Sequence, residues 1–199
     1  IEDVNYIEKV STPKSYLHVK GVWNAEEQAY NATPKRIGKK ILAVDLGIKR
    51  NILNELCEVG LDVEVIPHDF SADDVIARHK KGEVNGLFLS NGPGDPETCV
   101  SIIEEIRKLS ETDIPIFAIC LGHQLMALAY GAKTYKLKYG HRGGNHPVKD
   151  LSTGRVYISS QNHGYAVDYN TMDKNVAEEA FINVNDGTNE GLNYIGKKI

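Results

Sequence analysis

The residues best suited to chemistry are Ile119-Cys120-Leu121-Gly122-His123-Gln124. An apolar run over residues 115–119 ends at a cysteine, and a helical pattern begins at once. A strand that turns straight into a helix pushes its corner side chain out at the carboxyl edge of a sheet, as in a nucleophile elbow. A helix N-terminus favours a thiolate, so the spacing predicts a lowered thiol pKa for Cys120. The backbone around Leu121 can donate to an oxyanion formed on an attacked carbonyl. Gly122 lets the turn approach its neighbours closely. Cys57 and Cys99 lie inside helical patterns and read as packing residues.

Three further segments could line a site with Cys120. Ser90-Asn91-Gly92-Pro93-Gly94-Asp95-Pro96 follows another apolar run. Such a turn exposes backbone donors for an anionic or tetrahedral group. Gln161-Asn162-His163-Gly164-Tyr165 offers amides for an amino-acid carboxylate or side-chain amide. The glycine-rich stretch from Tyr139 to Pro147 carries His141 and His146. No carboxylate or cysteine stands beside them in sequence to complete a ligand set, so no metal is expected. Asp45-Leu-Gly-Ile-Lys-Arg-Asn51 resembles a phosphate-binding turn but lacks the glycine spacing of a dinucleotide fingerprint, which argues against a nucleotide site.

These segments need a scaffold, and the apolar periodicity supplies one. Residues 41–45, 63–66, 86–90 and 115–119 read as strands. Helical patterns fall between them, through Leu53, Leu56 and Cys57, over residues 72–79 and 99–109, and from Gly122 to about Tyr130. Alternation at this spacing predicts βαβ units: an α/β fold with an open, mostly parallel sheet flanked by helices. Ligands of such sheets bind at the carboxyl ends of the strands, where Cys120 and the Gly92–Gly94 turn both fall. After Gly131 the rhythm changes to short strands at residues 134–138, 156–159 and 181–185, read as a small antiparallel extension. Residues 1–37 carry Pro13, Pro34 and a lone Trp23 without sustained period, and read as a linker or the tail of a missing N-terminal domain.

The 199 residues are 41% hydrophobic and 25% charged with net charge −4, which suits a globular domain and gives no basic field for nucleic acid. No apolar run approaches the ~20 residues of a membrane span, and no signal-peptide pattern opens the chain. Three cysteines fit neither a disulfide framework nor a zinc site, so a reducing cytoplasm is expected.

At these motifs the chain resembles the class I (triad) glutamine amidotransferases, whose fold is flavodoxin-like, through Gly92-Pro-Gly94 and Cys120-x-Gly-His-Gln124. Within them it is similar to carbamoyl-phosphate synthetase small chains. The marks are Asp45-x-Gly-x-Lys49-x-Asn51-Ile-Leu, the Ser90–Pro96 turn, Lys138-Tyr-Gly-His-Arg-Gly-Gly-Asn-His-Pro147, Gln161-Asn-His-Gly164 and Asn185-Asp-Gly-Thr-Asn-Glu-Gly191. The resemblance covers residues 38–199 and implies that Cys120 attacks the glutamine side-chain amide, giving a thioester and ammonia. It implies an oxyanion hole from Leu121 with Gly92 and Gly94, and substrate contacts from Gln124, Asn162, Gly164 and Tyr165. Tyr165 stands where Phe is common, and Ala118 replaces a usual Gly. The resemblance implies no cofactor in this domain; bicarbonate and Mg-ATP belong to a partner, the large ammonia-using subunit or domain. The family's His-x-Glu pair, which activates the cysteine, has no match after Gly191, so the domain is expected to be truncated at its C-terminus and impaired as a glutaminase. His163 is the candidate substitute base. Competing readings are a non-catalytic glutamine-binding or docking fragment, a cysteine hydrolase with a similar elbow, and an amidotransferase serving anthranilate or guanine synthesis. Ala118 argues against the hydrolase, and the 138–147 segment against the last.

Overall fold

A computed structural model describes residues 6–32 and 34–199. In chain order the elements begin with a helical turn, α1 (Ile7–Val10), and an edge strand, β1 (Tyr16–His18). A two-stranded ribbon follows, β2 (Trp23–Asn24) with β3 (Ala29–Tyr30). The α/β body runs β4 (Lys39–Val44), α2 (Arg50–Glu58), β5 (Leu61–Ile66), α3 (Ala72–Lys80), β6 (Gly86–Leu89), α4 (Val100–Ser110), β7 (Ile116–Ala118) and α5 (Leu121–Ala129). Four strands close the chain: β8 (Lys133–Asp150), β9 (Val156–Asp168), β10 (Ala177–Asn183) and β11 (Asn189–Tyr194).

The main sheet has the order β1-β5-β4-β6-β7, with β5, β4, β6 and β7 parallel and β1 antiparallel on β5. Alternation of side chains across β4 divides the core. Leu42 and Val44 join Val75, Ile102, Ile106, Leu125 and Met126 beneath α3, α4 and α5. Ala43 faces the other way, with Leu53 and Cys57 of α2, Val63, Val65 and Phe88. Both faces are covered, which explains why the parallel strands read as near-continuous apolar runs. The helices begin and end within a few residues of their predicted positions.

Two parts of the predicted linker contribute to this body: Ile7 is buried in the larger core cluster, and β1 extends the sheet. Residues 1–5 and 33 of the predicted linker lie outside the described residues.

The antiparallel extension is a four-stranded sheet of order β11-β10-β8-β9. Its strands are longer than predicted, because the glycine-rich 138–147 stretch does not end β8. Register shifts between Lys136 and His141, and between Gly143 and His146, absorb the extra residues as bulges. Residues 161–165, predicted to follow a strand, lie inside β9. No described helix is long and apolar enough to cross a membrane.

Candidate active site

The corner between β7 and α5 is sharp. Cys120 has φ 53° and ψ −109°, a backbone conformation rarely taken by a residue with a side chain. Hydrogen bonds fix it from both sides. Ile119 N–H donates to the Leu89 carbonyl at 3.0 Å, and Gly122 N–H donates to the Ser90 carbonyl at 3.0 Å. Gly122 is required here: a Cβ on it would lie 2.4 Å from the Leu89 oxygen. The predicted elbow is therefore present, held against the end of β6 by backbone bonds.

The loop after β6 lies over this corner. Ser90 Oγ accepts from Leu46 N–H at 2.9 Å, and Asn91 Nδ2 donates to the Gly47 carbonyl at 3.1 Å. These bonds tie the loops after β4 and β6 together. Gly92 sits where a Cβ would lie 2.2 Å from the Leu46 oxygen and 2.6 Å from a Leu121 methyl. Gly94 has φ 98°, in the left-handed region.

The Cys120 thiol is pushed above the usual cysteine value, and burial is the largest cause. Backbone hydrogen bonds from Leu121 and Gly92, together with the Lys49 cation, pull it back down, while the Glu190 carboxylate pushes it up. The helix terminus alone predicted a lowered value; desolvation of the charged form outweighs it. The same two N–H groups mark where a developing negative charge beside Sγ would be held.

Cys120 opens into a cleft of about 1220 Å³ between the two sheets. Gly92, Gly94, Gln124, Asn162, Gly164 and Tyr165 line it, so these predicted substrate contacts face one space. Leu121, also predicted at the site, is 1% exposed and is not among the residues that line the cleft; it reaches the site through its backbone hydrogen bond to Cys120. Gln124 Nε2 donates to the Tyr165 carbonyl at 2.7 Å, joining α5 to β9. His123, half-buried, also lines the cleft, and desolvation lowers its pKa to about 4.

His163 lines the same cleft, yet both ring nitrogens have partners other than Cys120. Nδ1 lies 2.9 Å from the Tyr165 carbonyl; Nε2 lies 3.2 Å from His141 Nδ1, 3.3 Å from Gln161 Oε1 and 3.5 Å from Glu190 Oε2. His141 Nε2 is 2.8 Å from Asp186 Oδ2. Sequence spacing supplied no carboxylate for His141; the fold supplies two, from residues 45 and 49 positions away. Glu190 and Asp186 stand within the motif from Asn185 to Gly191, but no local pattern links that motif to His141.

The chain matches the glutamine amidotransferase class-I family over residues 42–199. It is 50% identical over 202 residues to the carbamoyl phosphate synthase small chain of Helicobacter hepaticus, covering 100% of this chain and 52% of that protein. The small chain of Campylobacter jejuni is 53% identical over 167 residues, covering 84% of this chain and 45% of that one. The small chain of Yersinia pestis is 43% identical over 198 residues, with coverages of 99% and 49%. The chain thus spans about half the length of the curated relatives it matches. Among solved structures, a glutamine amidotransferase from Thermotoga maritima matches with TM-score 0.57 at 21% identity, covering 78% of this chain and 71% of that one. A glutamine amido transferase from Methylobacillus flagellatus matches with TM-score 0.57 at 14% identity, with coverages of 82% and 67%. At these identities the structural matches speak for the fold.

Proposed function

The chain belongs to the class-I glutamine amidotransferase family, and from its elbow we propose that it is built to release ammonia from the side-chain amide of glutamine through Cys120. The observation that carries this reading is the strained Cys120 corner with the Leu121 and Gly92 N–H groups directed at its sulfur. The thiol proton passes to a base, and Sγ forms a bond to the amide carbon. The carbonyl electron pair moves onto oxygen, where the two N–H groups stabilise it. Collapse breaks the C–N bond, and nitrogen takes a proton as ammonia leaves. Water then hydrolyses the thioester to glutamate. Gln124, Asn162, Gly164 and Tyr165 hold the substrate along the cleft, and Gly94 keeps the loop bearing Gly92 in place.

The base is the element that residues 1–199 do not supply through a His-x-Glu pair. His163 is a poor substitute, since its nitrogens are engaged elsewhere. We place the base at the outer edge of β7. Ile116 N–H donates to the Lys198 carbonyl at 2.9 Å, and Phe117 is 63% exposed there. A strand continuing from Lys198 parallel to β7 would run toward Cys120. On this reading residues 38–199 form the amidotransferase domain, and residues 1–37 connect it to a further N-terminal domain. The family match over residues 42–199 supports the first statement, and the greater length of the relatives supports the second.

The 43–53% identity to carbamoyl phosphate synthase small chains points to the recipient of the ammonia. A synthetase partner would use it to make carbamoyl phosphate for arginine or pyrimidine synthesis, with Mg-ATP bound on the partner. Ammonia release from glutamine, measured with and without the partner, tests the proposal. Release that depends on Cys120 and vanishes in Cys120→Ser is expected. Glutamine binding without any ammonia, in the presence of both a supplied base segment and partner, would favour a binding-only domain.

A further inference from the structure

Two histidines and a glutamate from three strands meet beside the cleft. His141 on β8 faces His163 on β9 in register, and Glu190 arrives from β11. Their facing atoms are close: His141 Nδ1 to His163 Nε2 is 3.2 Å, His141 Nδ1 to Glu190 Oε1 is 3.0 Å, and His163 Nε2 to Glu190 Oε2 is 3.5 Å. All three side chains are only 9–13% exposed.

The outer nitrogen of each ring fixes where its hydrogen sits. His163 Nδ1 contacts the Tyr165 carbonyl, which can only accept, so Nδ1 carries a hydrogen. His141 Nε2 contacts the Asp186 carboxylate, which when ionised can only accept, so Nε2 carries a hydrogen. In the neutral rings the inner nitrogens are then both lone pairs, directed at each other and at the carboxylate. Asn183 Nδ2 donates to Glu190 Oε1 at 3.3 Å and lies 3.5 Å from His141 Nδ1, but it does not reach between the two ring lone pairs, and a cation among the three acceptors would relieve their repulsion.

The spacing suits a metal ion. A tetrahedral centre with bonds of ~2.0 Å has ligand-to-ligand edges of about 3.3 Å. The two rings meet at 3.2 Å, while Glu190 presents a different oxygen to each ring; one donor atom from each of the three residues lies within 4.8 Å of the others, and a turn of the carboxylate would bring one oxygen to both edges. The Gln161 amide oxygen, 3.3 Å from His163 Nε2, is placed as a fourth donor. The outer contacts have the form that orients metal-bound histidines, one ring backed by a carboxylate and the other by a backbone carbonyl. We propose that His141, His163 and Glu190 form a binding site for a borderline divalent ion of the zinc class, with Asp186 and the Tyr165 carbonyl as positioning groups. The ion would pin β8, β9 and β11 together at the segment bearing Asn162 and Gly164. This departs from the expectation of no metal, which rested on local spacing alone.

The test needs neither glutamine nor partner, so it stands apart from the glutaminase reading. Metal-free protein is titrated with Zn²⁺, and with Co²⁺ as a spectroscopic probe, while the melting temperature is followed. Expected are one equivalent bound, visible absorption from four-coordinate Co²⁺ and a raised melting temperature. Glu190→Gln and His141→Asn should each abolish the Co²⁺ spectrum, and Asp186→Asn should weaken affinity roughly 10- to 100-fold. Cys120→Ser and His146→Asn should leave it unchanged. If wild-type protein takes up neither ion, a proton on one imidazole fills the role and the proposal is overturned. Binding that survives in Glu190→Gln but is lost in Cys120→Ser would place the ion on the thiol and overturn it equally.

Discussion

Gln124 on α5 and Tyr165 on β9 are joined: the Gln124 side-chain amide donates to the Tyr165 carbonyl at 2.7 Å. His163 Nδ1 meets the same oxygen at 2.9 Å, so one carbonyl holds both the elbow helix and the histidine cluster. Neither partner is near the other in sequence, and the bond sets how far β9 stands from Cys120. Gln124→Ala leaves a partly buried carbonyl with one donor fewer. We expect a loss of about 1–2 kcal/mol in urea unfolding. In a chain with glutaminase activity, the KM for glutamine should rise more than kcat falls, because the change loosens the cleft wall rather than the nucleophile.

Gly122→Ala should be costly. Its Cβ would fall 2.4 Å from the Leu89 oxygen, a backbone atom at the end of a central strand that cannot move aside. Overpacking of this kind costs roughly 1–3 kcal/mol, and the shift of α5 away from β6 should also slow alkylation of Cys120. Unfolding midpoints and iodoacetamide rates on one preparation measure both effects.

The thiol responds to two opposed charges. Lys49 lowers the Cys120 pKa and Glu190 raises it, within a value set high mainly by burial. The alkylation rate of Cys120 should therefore rise with pH through and beyond the ordinary cysteine range. Lys49→Met should move that profile to higher pH, and Glu190→Gln should move it to lower pH. Shifts in the same direction would contradict the placement of these charges around the sulfur.

His123 predicts an acid-side loss of stability. Its folded pKa is about 4 against an ordinary 6.5, because burial penalises the imidazolium; Glu190 and Asn189 oppose that shift, and His163 adds to it. Between those values the unfolded chain binds the extra proton. Stability is thus full above about pH 6.5 and falls as pH drops toward 4, by an amount approaching about 3 kcal/mol. The His163 shift runs the other way: its raised pKa adds stability that is fully present below 6.5 and lost as pH rises. Urea midpoints at pH 7 and pH 5, compared between wild type and His123→Gln, isolate the His123 contribution. The variant should show the shallower decline.

The α/β body was legible because its signals are local. Apolar runs such as Gly86–Leu89 are buried on both faces, and amphipathic patterns such as Val100–Ser110 bury one side. The elbow was legible for the same reason, since a strand, a cysteine and a helix adjoin in sequence. The long β8 was not, because Gly140 and Gly143 look like turn residues and instead lie at bulges whose partners on β9 are some twenty residues away. The Glu190–His141 pair was hidden for the same cause: 49 residues separate its members, and β11 had no apolar alternation to announce it. The thiol pKa was misjudged because a helix terminus can be read from sequence, whereas burial of the sulfur depends on loops brought over it from β4 and β6.

On the proposed mechanism Cys120 forms a covalent bond with the acyl group of glutamine. Intact-mass measurement after glutamine addition and rapid acid quench tests it most directly, on this chain carrying the continuation that would lie along β7. Expected is a glutamyl adduct that maps to Cys120, disappears on base treatment as a thioester does, and is absent in Cys120→Ser. Ammonia release with no adduct in wild type and undiminished turnover in Cys120→Ser would contradict it.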